Sequence, residues 1–129
     1  MNLDIFYKND IKSDKFDRNS FVGKIIFDMS WSDSDYWELD SILLQILNNY
    51  QKEKLPKEIF SSIISIFTEV IGLSNKSEIY VSNEQYAQNN DNIAPDIYAR
   101  FERLSNICKD IVFRQNFDNE KFWYLPKEK

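Results

Sequence analysis

Apolar side chains recur every three or four residues along two stretches in the first half of the chain. The first stretch predicts an amphipathic helix over about residues 33–53. Its apolar positions are Tyr36, Leu39, Leu43, Ile46, Leu47 and Tyr50. The second stretch lies between Pro56, which suits the first turn of a helix, and Gly72, which suits a left-handed helix terminator. Its apolar stripe is broad, so we expect this helix to lie centrally among several neighbours.

A third helix is predicted after Pro95. Its apolar positions, spaced 4, 3, 4 and 3 residues apart, are Ile97, Phe101, Leu104, Cys108 and Ile111. We expect this helix to end near Phe113 and Asp118 to cap a short last helix that carries three aromatic residues. Residues 74–94 show little periodicity, apart from a run at 78–81 that fits a short strand.

The N-terminal region has a different composition. Residues 3–8 and 21–29 are rich in β-branched and aromatic side chains, and a polar stretch separates them. This pattern predicts two strands, most simply antiparallel. An isolated hairpin is only marginally stable, so the strands must lie on helices. The predicted fold is therefore α+β and mainly helical, with about three amphipathic helices packed with an N-terminal two-stranded β element, in a single domain over 1–129.

Polar residues mark the start of the first helix. Ser32 or Asp33 can accept hydrogen bonds from free backbone N–H groups, and Asp35 and Glu38 suit the positive end of the helix dipole. If Ser32 is the N-cap, two aromatic residues, Trp31 and Tyr36, occupy the positions of a hydrophobic staple. Capping and dipole effects therefore explain most of these acids without any catalytic role.

The composition excludes several kinds of chemistry. The chain has no His and one Cys, so His-dependent catalysis, His-ligated zinc and an internal disulfide are all excluded. Its two Gly residues are isolated, so there is no phosphate-binding loop, and Asp33-Ser34-Asp35 lacks the Gly of a calcium loop. We expect no enzymatic activity, no cofactor and no metal. Without a secretory signal or a long apolar run, we expect a cytoplasmic protein.

Acidic residues concentrate where bases are missing. The net charge is −5, and no Lys or Arg occurs from Ile25 to Gln51. The five acids of this interval are Asp28, Asp33, Asp35, Glu38 and Asp40. One interpretation is a solvated helix start whose acids match the helix dipole. The other is a negative patch for a basic protein partner, because focused charge raises association rates and selects partners. Nucleic-acid binding needs the opposite sign and is disfavoured.

Two segments of the sequence resemble a bacterial immunity family. They are Ser20-Phe21-Val22-Gly23-Lys24-Ile25-Ile26-Phe27-Asp28 and Trp31-Ser32-Asp33, which is followed by Trp37. The family is immunity protein forty-one, associated with polymorphic and contact-dependent inhibition toxins. The resemblance extends to about residue 70 and implies a protein without catalytic machinery that binds a cognate toxin domain, often a nuclease.

Three functions remain open at this point. The first is an immunity protein that occludes the active site or substrate surface of a toxin. The second is a small acidic adaptor or regulatory protein with another basic partner, and the third is a carboxylate-dependent enzyme or small-ligand binder. For the first, the predicted partner-binding residues are Asp33, Asp35, Tyr36, Trp37 and Glu38. Tyr36 and Trp37 would supply an aromatic anchor beside the carboxylates.

Overall fold

Five α-helices make up the described part of the chain. The computed structural model describes residues 1–81 and 95–119, with side chains as far as Phe113. The helices are α1 (Asp4–Tyr7), α2 (Phe21–Asp28), α3 (Asp33–Asn49), α4 (Lys57–Ile71) and α5 (Ile97–Asn119), and a short 3₁₀ helix spans Lys76–Glu78. Helix α3 packs against α1, α2 and α5, while α4 packs against α2 and α5.

The predicted N-terminal β element is wrong. The described residues contain no β-strand, and the two runs predicted as strands form α1 and α2 instead. Ser20 explains the second case, because its side chain accepts a hydrogen bond from the backbone N–H of Gly23 at 3.0 Å and so caps a helix. The buried residues Phe21, Val22 and Ile25 then share one helical face, and their packing outweighs the β propensity of this run.

Within the described residues, β-type hydrogen bonding occurs at one isolated bridge, between Ser30 and Tyr80. The N–H of Trp31 donates to the carbonyl of Tyr80 at 2.9 Å, and the N–H of Tyr80 donates to the carbonyl of Met29 at 2.7 Å. The short strand predicted at 78–81 is not formed, because Glu78 ends the 3₁₀ helix and only Tyr80 makes this isolated parallel bridge. It anchors the chain after α4 beside the start of α3.

The three amphipathic helices are present, but some of their ends differ from the prediction. Ser32 is the N-cap of α3, as one of the two predicted alternatives had it. Gly72 follows α4 with a φ of −77°, so the predicted left-handed terminator is wrong. Helix α5 continues to Asn119, well beyond Phe113, so Asp118 lies inside it and its predicted role as the cap of a last helix is wrong. The aromatic residues of that predicted helix fall among residues 120–129, outside the described residues.

Aromatic rings join α2, α3 and α5 at the centre of the core. Trp31 is 2% exposed, and its ring lies 4.9 Å from Phe21, 5.6 Å from Tyr36 and 5.5 Å from Phe101, measured between centroids. Such pairs contribute about 0.5–1.5 kcal/mol each beyond the burial of their area. This cluster fixes the start of α3 against α5, which is where the predicted partner-binding residues lie. The organisation of the whole chain as one domain stays a prediction.

Candidate functional site

The five predicted partner-binding residues divide into buried and exposed members. Asp33 is 3% exposed and Tyr36 is fully buried, so neither projects into solvent. Trp37 is 42% exposed, and Asp35 and Glu38 are partly exposed. The first two turns of α3 therefore present one large aromatic side chain and two carboxylates to solvent. The other two members lie beneath them.

The buried carboxylate of Asp33 collects donors from two elements. Its Oδ1 accepts from the indole N–H of Trp31 at 2.9 Å, and its Oδ2 accepts from the indole N–H of Trp37 at 3.2 Å. Arg100 of α5 donates from Nη2 to Oδ2 at 3.1 Å, and its Nε lies 2.6 Å from Oδ1 as an ion-pair contact. Buried carboxylates need such partners, because desolvating an unpaired charge is costly.

A second buried carboxylate lies two turns further along α3. Asp40 is 2% exposed and accepts two hydrogen bonds from Arg103 of α5, Nε to Oδ2 at 2.6 Å and Nη2 to Oδ1 at 3.1 Å. The hydroxyl of Tyr36 lies 3.0 Å from Oδ2 of Asp40 and 3.1 Å from the carbonyl of Arg100. Burial raises the pKa of the Tyr36 hydroxyl, and the negative charge of Asp40 raises it further. The hydroxyl therefore stays neutral and can donate a hydrogen bond.

The remaining acids of the run also have basic neighbours. Asp35 pairs with Lys24 of α2 at 2.5 Å, and Glu38 pairs with Lys8 at 2.9 Å. Asp28 lies 3.9 Å from Arg18. Each of the five acids at positions 28–40 thus lies beside a base from outside the base-free interval, so the local charges balance in pairs.

Trp37 is the exposed aromatic of this surface, and two guanidinium groups flank it. The central carbons of Arg100 and Arg103 lie 5.2 Å and 5.4 Å from the centroid of the Trp37 ring, within cation–π range. The Arg103 side chain keeps 46% of its surface exposed. We call Trp37, Arg100 and Arg103, with the carboxylates of Asp33 and Asp40 beneath them, the tryptophan–arginine cluster.

Neither arginine of this cluster was predicted from the sequence. A weak signal was present, because the chain has only four arginines among its sixteen bases and two of them stand at positions 100 and 103, on the same flank of the apolar seam of α5. Arginine is the base best suited to buried, two-pronged pairing with carboxylates. Which acids these arginines would meet cannot be obtained from spacing along one helix.

Apart from the tryptophan–arginine cluster, an apolar surface lies between α4 and α5. It is a groove of about 260 Å³ lined by Ile63, Ile64, Phe67, Cys108, Lys109, Val112 and Phe113. Ile64 is 42% exposed there, the same fraction as Trp37. Cys108 forms part of its floor, and burial raises the pKa of this thiol to about 12, so it is protonated at neutral pH.

The described residues offer few other chemical groups. Asp10 is buried at 5% exposure and accepts hydrogen bonds from the hydroxyls of Ser62 at 2.5 Å and Ser65 at 2.6 Å, which ties the N-terminal region to α4. Across residues 1–81 and 95–119, no group of three or more acidic, His or Cys side chains is placed to hold a metal ion. In the same ranges, no helix has the length and hydropathy needed to cross a membrane.

Comparison with known proteins gives one match. The family model described as Immunity protein 41 matches residues 8–123, which include helices α2, α3, α4 and α5. No curated protein and no solved structure matches the chain. The match agrees with the resemblance of residues 20–37 and extends it over most of the chain, and it supports a role in immunity to a toxin. The chain belongs to the Immunity protein 41 family.

Proposed function

We propose that this protein neutralises a cognate nuclease toxin by binding its toxin domain and covering the active or substrate-binding surface. The observation that carries the proposal is the family match over residues 8–123. That match includes the helices that build the tryptophan–arginine cluster, which supports binding through the folded unit rather than through a short motif.

The overall charge of the chain supports a basic toxin surface as the target. Nucleases bind phosphate groups, so their substrate surfaces are positively charged. The net charge of −5 favours encounter with such a surface, because long-range attraction raises the association rate. Salt screens this attraction, so the association rate should fall as ionic strength rises.

The proposed contact surface is the exposed edge of α3. Trp37, Asp35 and Glu38 would contact the toxin directly, since each of them is at least partly exposed. Asp33 and Tyr36 would act from beneath, because Asp33 holds the Trp37 indole and Tyr36 binds α5. The ion pairs of Asp35 and Glu38 with lysines are partly exposed, so a toxin base can compete for these carboxylates.

Titration of toxin activity tests the mode of action. The probe is the cognate toxin domain, which we expect the gene immediately upstream to encode, mixed with rising amounts of this protein and assayed on nucleic acid. We expect activity to be lost near an equimolar ratio, because binding consumes one molecule of immunity protein per toxin. Complete inactivation at a small fraction of equimolar would contradict the proposal, since it would require turnover.

Two controls make this assay specific. An unrelated toxin domain with a basic surface should keep its activity, because charge alone does not give the shape complementarity that a stable complex needs. Co-purification of the two proteins should yield a complex of fixed composition. If the upstream toxin stays fully active at excess of this protein and does not co-purify, the proposed function is wrong.

A further inference from the structure

We infer that Trp37 is a preorganised anchor for the toxin, held in place by Arg103, and that it fits an apolar pocket with a hydrogen-bond acceptor at its rim. This inference rests on the proposed function and names the part of the toxin surface that the protein recognises. Asp33 and Asp40 then serve as the buried base of the anchor rather than as contacts to the toxin.

The ring of Trp37 is exposed but has a fixed orientation. Trp37 is 42% exposed, yet its indole N–H donates to the buried Asp33 carboxylate at 3.2 Å. The guanidinium groups of Arg100 and Arg103 lie within 5.4 Å of the ring centroid. These contacts restrict the rotation of the side chain before any partner arrives. Binding through it therefore avoids the usual entropy cost of ordering a large side chain.

Arg103 is itself held rigidly. It donates two hydrogen bonds to Asp40, which is 2% exposed and also lies 3.0 Å from the Tyr36 hydroxyl. A two-pronged pair fixes the plane of the guanidinium as well as its position. Arg103 can therefore position the Trp37 ring from the side of α5, although it lies 66 positions away in sequence.

The chemistry presented to a partner combines an indole with a guanidinium. Arg103 uses Nε and Nη2 on Asp40, and its side chain keeps 46% of its surface exposed. A half-exposed indole beside a partly exposed guanidinium matches an apolar pocket with a carboxylate or a main-chain carbonyl at its edge. Tryptophan and arginine are also the residue types most enriched where interface energy concentrates.

Binding measurements on matched variants test the anchor. The probe is the purified upstream toxin domain, and Trp37→Ala should raise its Kd by about 30-fold or more, as expected of an interface hot spot. Ile64→Ala is the control, since Ile64 has the same 42% exposure on the α4–α5 groove, and we expect its Kd to change by less than about 3-fold. Thermal unfolding of each variant checks that the fold is retained.

Arg103→Lys separates positioning from charge. Lysine keeps the charge but cannot form the two-pronged pair, so a positioning role predicts a Kd about 10-fold higher. In the free protein labelled with 5-fluorotryptophan, the ¹⁹F resonance of Trp37, assigned by its loss in Trp37→Ala, should be one narrow line. In Arg103→Lys this line should broaden or move toward the position of unfolded protein. A purely structural role would lower the melting temperature and leave that resonance unchanged.

The outcomes distinguish failure of the Trp37 anchor from failure of the proposed function. If the wild-type protein binds the toxin but Trp37→Ala binds equally well, or if Ile64→Ala loses binding and Trp37→Ala does not, the anchor is wrong and the proposed function stands. An unchanged Kd and an unchanged ¹⁹F line in Arg103→Lys overturn the positioning role alone. If the wild-type protein does not bind the toxin, the proposed function and the anchor are both overturned.

Discussion

Asp33 and Asp35 stand two residues apart in the first turn of α3 but should differ strongly in their contribution to stability. Both carboxylates interact with the positive end of the helix dipole, so replacing either by asparagine removes a similar dipole contribution. Their surroundings differ: the side chain of Asp33 is 5% exposed and that of Asp35 is 25% exposed. The comparison of Asp33→Asn with Asp35→Asn therefore isolates the effect of burial.

The expected magnitude follows from the contacts of each carboxylate. The Asp33→Asn side chain keeps one acceptor oxygen, and its amide nitrogen would face an N–H donor, so at least one of the donors from Trp31, Trp37 and Arg100 loses its partner. Breaking a buried ion pair costs about 3–5 kcal/mol, and we expect the lower end because the Arg100 side chain is 17% exposed and keeps some water. Asp35 pairs with Lys24 near the surface, where such a pair contributes about 1 kcal/mol or less.

Urea unfolding followed by far-UV circular dichroism measures the difference. Circular dichroism is preferred because Asp33→Asn would change the surroundings of two indoles and so alter the fluorescence baseline. We expect Asp33→Asn to lower the free energy of unfolding by about 3 kcal/mol and Asp35→Asn by about 1 kcal/mol or less. Equal urea midpoints for the two variants would refute the reasoning, because they would mean that Asp33 is solvated and not paired with Arg100.

Three further predictions concern other parts of the molecule. Gly23→Ala should lower the free energy of unfolding by about 1–3 kcal/mol despite the better helix propensity of Ala, because the new Cβ would clash with the backbone carbonyl of Arg18. A raised urea midpoint would contradict this. Burial raises the pKa of the Cys108 thiol to about 12 from its ordinary 9.0, so a rise in pH between these two values favours the unfolded state, where the thiol ionises more readily. At pH 8 a thiol reagent should therefore modify the native protein far more slowly than the denatured protein. Equal modification rates would show that the thiol is accessible in the native protein. Asp35→Lys should slow association with the toxin more than Glu58→Lys does; Glu58 lies in the first turn of α4, and its replacement changes the net charge by the same amount. Equal slowing by the two variants would mean that only the net charge matters and that Asp35 has no special role.

The three amphipathic helices could be predicted because their signals are local. The apolar residues of α5 repeat every three or four positions, and the Ser32 hydroxyl caps a backbone N–H only three residues away. The N-terminal region was predicted wrongly because β propensity reports how well a side chain fits a half-buried surface, and Phe21, Val22 and Ile25 find that surface on a helix. The cap at Ser20 was the local signal that favoured the helix.

The candidate site could be predicted only in part. The sequence located the acidic helix start and singled out Trp37, which is exposed. It could not show that Asp33 and Asp40 are buried, because burial depends on where α5 packs. The spacing within α3 predicts which residues share a face of that helix, but it carries no information on which neighbour covers that face.

The sequence by itself determined the helical stripes, the absence of histidine and the net charge of −5, and it narrowed the cap of α3 to Ser32 or Asp33, since all of these depend on residue identity and short-range spacing. Tertiary structure alone decided which base meets which acid. Arg100 and Asp33 are separated by 67 positions and Arg103 and Asp40 by 63, and packing of α5 on α3 brings each pair together. Because that packing removes both carboxylates from water, Asp33 and Asp40 support the exposed Trp37, whereas the other three acids of the base-free interval keep part of their surface exposed.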